Sequence, residues 1–259
     1  MKQDIKKKWL HFVCWLCLLL FNVTALSQSD VDSVQKLVQR KNIVRYNLSG
    51  ALLFGFDKFI VFGYERILRR NQSISVNFGK AALPSIISII TDSFELKKQG
   101  ESSGTNFSID YRFYLQKENK YLPPHGLYIG PYYSFNHFTR DNQWDHTHST
   151  TADYINSHTA LEIHTIGFEL GYQIILWKKL TLDFVMVGPG LGFYHYKATF
   201  DNNLSTADKE QLLQALQQLL TQKFPGFNYV FADKELDGSG TLKTTAAGYR
   251  YLIQLGFNF

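Results

Sequence analysis

The chain ends in GYRYLIQLGFNF, residues 248–259, where apolar and polar side chains alternate. The odd-numbered positions from 249 onward hold Tyr, Tyr, Ile, Leu, Phe and Phe. The even-numbered positions hold Gly, Arg, Gln, Gly and Asn, with Leu252 as the exception. Successive side chains point to opposite faces of a β-strand, so this sorting predicts a strand with one apolar and one polar face. A helix of the same sequence would scatter the polar residues among the apolar ones.

The same alternation recurs upstream in seven further segments, which gives eight strands in total. An even number of strands is the rule for single-chain bacterial barrels. Gly188-Pro189-Gly190 predicts a bulge within the seventh strand. The seven upstream segments are 44–48, 60–64, 74–78, 107–115, 127–135, 166–176 and 180–186.

Period alone does not say which face of each strand lies inside, and a soluble β-sandwich or lipocalin-like barrel is the alternative. The polar faces hold small Gly residues and few Lys, which suits a narrow filled interior. The apolar faces are rich in Tyr and Phe, of which the chain has 15 and 21, as expected of aromatic girdles at membrane interfaces. We therefore expect an all-β fold over residues 43–259: an eight-stranded antiparallel transmembrane up-and-down β-barrel.

The first 27 residues have the pattern of a secretory signal peptide. Lysines precede the apolar run Leu10–Phe21, and the small residues Ala25 and Ser27 predict a cut before Gln28 after Sec-type export. An uncleaved membrane anchor is the alternative, although the apolar run is short for a membrane span. Residues 28–42 follow as a polar periplasmic segment.

Both cysteines, Cys14 and Cys17, lie within the predicted signal peptide, so the mature chain has no thiol. Neither follows the small residue that a lipidation motif needs, which disfavours a lipoprotein. The formal net charge of the whole chain is +5, of which the predicted signal peptide carries +3. The remaining charge of about +2 gives no reason to expect nucleic-acid binding.

The connections between the predicted strands alternate between short and long. Short turns are expected at 69–71, 117–124 and 178–179, and long loops at 83–104, 139–158 and 197–240, with a brief exception at 55–57. Outer-membrane barrels have short periplasmic turns and long external loops, so both termini are expected in the periplasm. Leucines at helical spacing predict a helix within 205–224 of the longest loop.

Two short stretches carry a family resemblance. RKNIVRYNL at 40–48, followed by FGYER at 62–66, resembles the first two strands of small porin-like outer-membrane barrels of Bacteroidota, a family of unknown function. The chain ending is similar to the signal read by the barrel-assembly machinery, and the residues that would carry it are Tyr251, Ile253, Leu255, Phe257 and Phe259. The resemblance implies a fold, an outer-membrane location and lipid as the surroundings, but no substrate.

The polar faces carry charged residues that the predicted barrel would enclose. Charges inside a narrow barrel are costly unless they are paired, so we expect a mutually compensating network that fills the interior. A proton or small-ion path is the functional alternative. The predicted network comprises Arg45, Glu65, Asp110, Arg112, Glu169, Asp183 and Arg250.

Other candidate sites are weaker. His146, His148 and His158 fall in one predicted external loop and could hold a divalent metal, since imidazole is a common ligand. The stretch 233–244 begins like a calcium loop but has Thr244 where the bidentate Glu belongs. The sequence indicates no nucleophile with a base and an orienting acid, so we expect neither an enzyme nor a cofactor.

The leading functional expectation is a barrel with a side-chain-filled interior and a structural or surface-interaction role towards an unknown external ligand. A narrow transporter or channel for small hydrophobic or ionic solutes is the second hypothesis. A lipid-modifying barrel enzyme is the third.

Overall fold

The structure, a computed structural model, describes residues 40–82, 94–146, 154–200, 209–214, 216, 230 and 240–259. The predicted signal peptide, most of the polar segment 28–42 and the calcium-like stretch up to residue 239 lie outside these residues. Within the described part, no helix is long and apolar enough to cross a membrane.

Ten antiparallel strands and one complete helix account for most of the described residues. Alternating aromatic and β-branched residues favour strands because such side chains pack well on a pleated surface. The elements are β1 (Asn42–Asn47), α1 (Leu48–Phe54), β2 (Phe59–Arg69), β3 (Gln72–Ala81), β4 (Phe94–Tyr114), β5 (Gly126–His146), β6 (Tyr154–Leu176), β7 (Leu180–Val187), β8 (Pro189–Phe200), β9 (Thr241–Tyr249) and β10 (Leu252–Asn258).

The strands form a closed ring with eight positions. The sheet order is β5-β4-β3-β2-β1-β10-β7-β6-β8-β9, and pairing of β5 with β6 closes it. β7 and β8 follow each other along one position of the ring, since both pair with β6. β9 and β10 follow each other along the next position, where β9 pairs with β8 and β10 pairs with β7. The prediction of an antiparallel all-β fold is confirmed, and the eight predicted strands correspond to eight ring positions built from ten strands.

Two strand interruptions lie side by side in the ring. β7 gives way to β8 at Gly188, as the Gly-Pro-Gly sequence predicted, and β9 gives way to β10 at Arg250. The backbone N–H of Arg250 donates to the carbonyl of Gly188 at 2.8 Å, so the two interruptions pair with each other. The side chain of Arg250, only 10% exposed, lies against the buried residues of the ring.

The two faces of the ring differ in polarity. Over β2, burial alternates residue by residue, and the exposed Phe62 and Tyr64 alternate with the buried Gly63 and Glu65. The exposed face carries large apolar side chains such as Phe168, which is 70% exposed. The buried face carries polar and charged side chains, including Arg112 at 0% exposure. This distribution is the reverse of that of a water-soluble protein.

The sequence missed α1, since it predicted a strand to residue 48 and a brief connection at 55–57. The Asn47 side chain accepts a hydrogen bond from the Gly50 N–H at 3.1 Å and caps the helix, which ends at Gly55 with a φ of 104°. The helix lies where β1 would otherwise continue, and it packs against β2 and β10. The Asn47 cap and the positive φ of Gly55 therefore determine where this helix begins and ends.

The prediction of long loops is wrong at the loop margins. β4 begins at Phe94, β5 continues to His146, β6 begins at Tyr154 and β8 continues to Phe200, so four strands extend well past the other strands. In this extension the inner face becomes mixed: apolar side chains such as Trp144 and Leu161 point inward beside buried polar ones such as Asn142. Residues 209–214 and 216, which lie in the predicted 205–224 helix, are helical, and Leu212 joins the same apolar core.

Candidate functional site

The seven charged residues predicted from the sequence lie together inside the ring. They come from strands on opposite sides of the ring, and all but Arg250 are at most 2% exposed. Their positions alternate with the exposed apolar residues, so the period-two pattern places each of them on the inner face. The cluster consists of Arg45 on β1, Glu65 on β2, Asp110 and Arg112 on β4, Glu169 on β6, Asp183 on β7, and Arg250 between β9 and β10.

Arg112 occupies the centre of the cluster. Its Nε lies 2.7 Å from Asp110 Oδ2, and its Nη1 lies 2.9 Å from Asp183 Oδ2 and 3.5 Å from Glu65 Oε2. The guanidinium also lies 4.3 Å from the centre of the Tyr128 ring, within cation–π range. One cation thus joins three carboxylates, and its planar fork suits this arrangement.

Arg45 binds the same carboxylates from the opposite wall. Its Nη1 lies 2.5 Å from Asp183 Oδ2 and 3.3 Å from Glu65 Oε2. Its Nη2 donates to the Ser75 hydroxyl, and Gln173 lies at the edge of bonding distance at 3.5 Å. Asp183 and Glu65 are therefore each held between two arginines, one from each side of the ring.

Arg250 closes the cluster on the side away from the chain termini. Its Nη1 lies 3.2 Å from Glu169 Oε2, and its Nη2 lies 3.6 Å from Asp110 Oδ1. The guanidinium lies 4.7 Å from the centre of the Tyr132 ring, and Nη2 donates to the Ser108 hydroxyl at 3.2 Å. With Arg250 included, three guanidinium groups face four carboxylates.

Sequence reasoning missed several neutral members of the cluster. The Tyr114 hydroxyl donates to Glu65 Oε1 at 2.8 Å, and Tyr128 donates to Asp183 Oδ1 at 2.7 Å. Ser73 donates to Glu65 Oε1 at 2.5 Å. All three lie on the polar faces of their strands, so the same alternation that picked out the charges would have found them. Such bonds supply the donors that buried carboxylates need.

Of the three histidines proposed as metal ligands, the structure describes His146 and His158, and it does not bring these two together. The sequence placed them in a loop, but His146 lies on β5 and His158 lies on β6, opposite Asp141. His146 lies five positions from Asp141 along β5, which is about 17 Å along a strand. His158 Nδ1 is instead 2.6 Å from Asp141 Oδ1, and His148 lies outside the described residues. The described part of the chain contains no metal-competent group of three or more His, Cys, Asp or Glu.

A second set of histidines forms a row on the outer wall. His137 on β5, Glu162 on β6 and His195 on β8 are direct cross-strand neighbours. The His137 Nδ1 lies 3.5 Å from Glu162 Oε1, and the His195 Nδ1 lies 3.7 Å from Oε2. The side chains are about two-fifths exposed. On β5 this row begins where the outer face changes from apolar at Phe135 to polar.

The proposed assembly signal lies entirely on the outer face. Tyr251, Ile253, Leu255, Phe257 and Phe259 are between 36% and 63% exposed. Gln254 and Asn258, which alternate with them, are buried. The apolar face of β10 is thus available on the outside of the ring.

No protein-family model matches the chain, and no curated protein matches it. Among solved structures, it is similar to the crystal structure of a major outer membrane protein from Thermus thermophilus. The identity is 8%, the TM-score is 0.33, and the alignment covers 85% of this chain and all of that one. A similarity at this TM-score is too weak to support a fold or a function. Both are therefore argued from the strand pairing and the burial of side chains.

Proposed function

We propose that this chain is an eight-stranded transmembrane β-barrel of a bacterial outer membrane, with a filled interior and a structural or surface-interaction role. The observation that carries the proposal is the reversed polarity of the ring. Exposed Phe62, Phe78 and Phe168 would each face water in a soluble protein, while the interior would enclose seven charged groups. Both features are favourable when hydrocarbon surrounds the ring.

The stagger of the ring supports a barrel geometry. A path of paired residues from Ile174 on β6, followed around the ring, returns to β6 at His164, ten residues away. With about 3.3 Å per residue and about 4.8 Å between strands, a ten-residue stagger over eight positions gives a strand tilt of about 40°. Transmembrane barrels tilt by roughly 35–45°.

The length of the apolar belt fits a bilayer. On β5 the outward side chains are apolar or aromatic from Leu127 to Phe135, which is nine residues, and on β6 from Ile166 to Leu176, which is eleven. At a tilt of about 40° these lengths rise about 23–28 Å, close to the roughly 25 Å apolar band of such barrels. Beyond the belt the strands have polar outer faces, as expected outside the membrane.

The short connections support the predicted orientation. Residues 70–71 and 177–179 connect strands at the end of the ring that also holds both ends of the Lys41–Phe259 unit. We place this end in the periplasm and the extended strands outside the cell. Export through a cleaved signal peptide and insertion by the barrel-assembly machinery belong to the same proposal.

The interior cluster supports a non-conducting barrel. Arg45 and Arg112 reach the same carboxylates from different strands, so side chains cross the interior rather than lining an open channel. An eight-stranded barrel is just wide enough for its side chains to fill it. The extended strands and their apolar core would then form the part of the protein that contacts external partners.

Fractionation and planar-bilayer recording test this proposal. The mature chain should remain with membranes after alkaline carbonate washing and should give no steady single-channel current after reconstitution. Release into the soluble fraction would overturn the membrane assignment. A steady current from the unaltered protein would instead overturn the filled interior and favour the transporter hypothesis.

A further inference from the structure

A cavity of about 300 Å³ lies inside the ring, on the side of the charge cluster that faces away from the chain termini. Arg250, Ser108 and Tyr132 form its border with the cluster, and α1 contributes Phe54. Residues of β1, β2, β4, β5, β6, β8, β9 and β10 complete its wall, and the exposed Tyr249 and Tyr251 border it at the interruption between β9 and β10, where the cavity reaches the surface. The cavity therefore lies between the charge cluster, from which Arg250 contributes to its wall, and the apolar core of the extension, against which its wall residue Tyr194 packs.

One part of the wall is aromatic. Phe54 and Phe59 stack with ring centres 5.9 Å apart, and Tyr194 contributes a third ring. These rings provide flat apolar surface for the body of a ligand. Small-molecule sites combine such surface with a few polar groups that fix orientation.

The other part of the wall carries neutral hydrogen-bonding groups. Asn106 Nδ2 donates to Asn136 Oδ1 at 2.6 Å, which leaves the second oxygen and the second amino group of this pair for a ligand. Ser134 and Thr165 lie opposite each other on β5 and β6, and their hydroxyls bond no residue that the structure describes. This part of the wall thus offers uncharged donors and acceptors.

The charge near the cavity disfavours an anionic ligand. Arg250 is the cation at the border, but Glu169 and Asp110 lie 3.2 and 3.6 Å from its guanidinium. The cluster behind it has one carboxylate more than it has guanidinium groups. An additional anion would therefore enter an environment that is already negative and of low dielectric constant.

We propose that this cavity binds a small neutral amphiphile, with its apolar body against Phe54, Phe59 and Tyr194 and a hydroxyl or amide head group at Asn106, Asn136 and Ser134. A volume of about 300 Å³ lies at the lower end of the roughly 300–1,000 Å³ of ligand pockets, which suits a small ligand. The site is a property of the folded interior and goes beyond the proposed structural role.

The probe pair 2-naphthol and 2-naphthoate tests the proposal, since the two share a ring system and differ in head-group charge. Binding to the detergent-solubilised, folded chain is measured by calorimetric titration at pH 7. We expect saturable binding of 2-naphthol at one site per chain and at least tenfold weaker binding of 2-naphthoate.

Variants separate the cavity from partition into the micelle. Ser134→Trp fills the cavity and should abolish saturable binding, whereas Ser103→Trp, at an exposed position outside it, should leave binding unchanged. Asn136→Leu keeps the number and branching of the side-chain non-hydrogen atoms but removes the hydrogen bonds, and should weaken 2-naphthol binding by about three- to tenfold.

Three results would overturn the inference: no saturable binding of 2-naphthol, equal binding of the two probes, or equal binding by the Ser134→Trp and Ser103→Trp variants. The heat-dependent gel mobility of each variant reports whether its barrel is folded, so Asn136→Leu decides the matter if Ser134→Trp does not fold. If the unaltered protein remains with membranes but does not bind 2-naphthol, the ligand site is rejected and the proposed function is unaffected.

Discussion

Replacing Arg112 with methionine removes the central cation of the interior cluster while keeping a long side chain. The guanidinium is fully buried and lies 2.7 Å from Asp110 and 2.9 Å from Asp183. Its removal leaves four carboxylates facing two guanidinium groups. Because removing one partner of a buried pair typically costs about 3–5 kcal/mol, we expect the free energy of unfolding to fall by about 3–5 kcal/mol.

Equilibrium unfolding in urea, performed in lipid vesicles and followed by tryptophan fluorescence, measures this loss. The matched control is Arg66→Met, since Arg66 is exposed on the outer face of β2 and donates to Asn42 Oδ1 at 2.9 Å. We expect the control to lose less than about 1 kcal/mol. The slope of unfolding against urea should be similar in the two variants.

The reasoning fails if Arg112→Met is no less stable than Arg66→Met. A second comparison adds Asp183→Asn to the Arg112→Met variant. Since the two side chains are in contact, their effects should be non-additive by about 1–3 kcal/mol. Additive losses within about 0.5 kcal/mol would show that the two groups do not interact, contrary to the geometry.

Three further predictions follow from other parts of the molecule. Phe168→Arg, within the apolar belt, should lower the free energy of unfolding in lipid vesicles by about 2–4 kcal/mol, whereas Thr199→Arg, beyond the belt, should lower it little. Equal losses in the two variants would contradict the assigned belt. Burial lowers the pKa of His125 from its ordinary value of 6.5, so the unfolded chain binds a proton there more readily than the folded one. Stability should therefore fall as the pH drops below about 6.5, and His125→Gln should flatten that part of a thermal-unfolding profile; an unchanged profile would contradict it. Leu212→Ala in the apolar core of the extension should speed proteolysis within 201–240 without releasing the chain from membranes, and unchanged cleavage would show that the helical residues do not depend on that core.

The ring and its charged interior could be predicted from the sequence because both follow from one period-two pattern. Along β2, Phe62 and Tyr64 alternate with Gly63 and Glu65, and the structure keeps that parity. The odd or even position of a residue along its strand determines whether its side chain points into the ring. Because the ring is narrow, side chains that point inward from different strands contact one another. The interior charges were thus predictable as a group, although their pairing depends on the register of strands that are far apart in sequence.

The extension was missed because the polarity of both faces changes partway along the strands. On β5 the outer face becomes polar at His137 and Asp141, while the inner face carries the apolar Trp144 beside the buried polar Asn142. A polar outer face and irregular composition suggest a loop when only the first pattern is sought. The row that joins His137, Glu162 and His195 depends in the same way on register across three strands.

Quenching by brominated lipids tests the orientation of the ring most directly. The mature chain would have no cysteine, so a fluorophore attached to Phe62→Cys or Lys197→Cys reports on one position at a time. In vesicles with bromine-labelled acyl chains, we predict strong quenching at position 62 and little quenching at position 197. Weak quenching at both positions, with the chain soluble without detergent, would contradict a ring whose apolar face meets hydrocarbon.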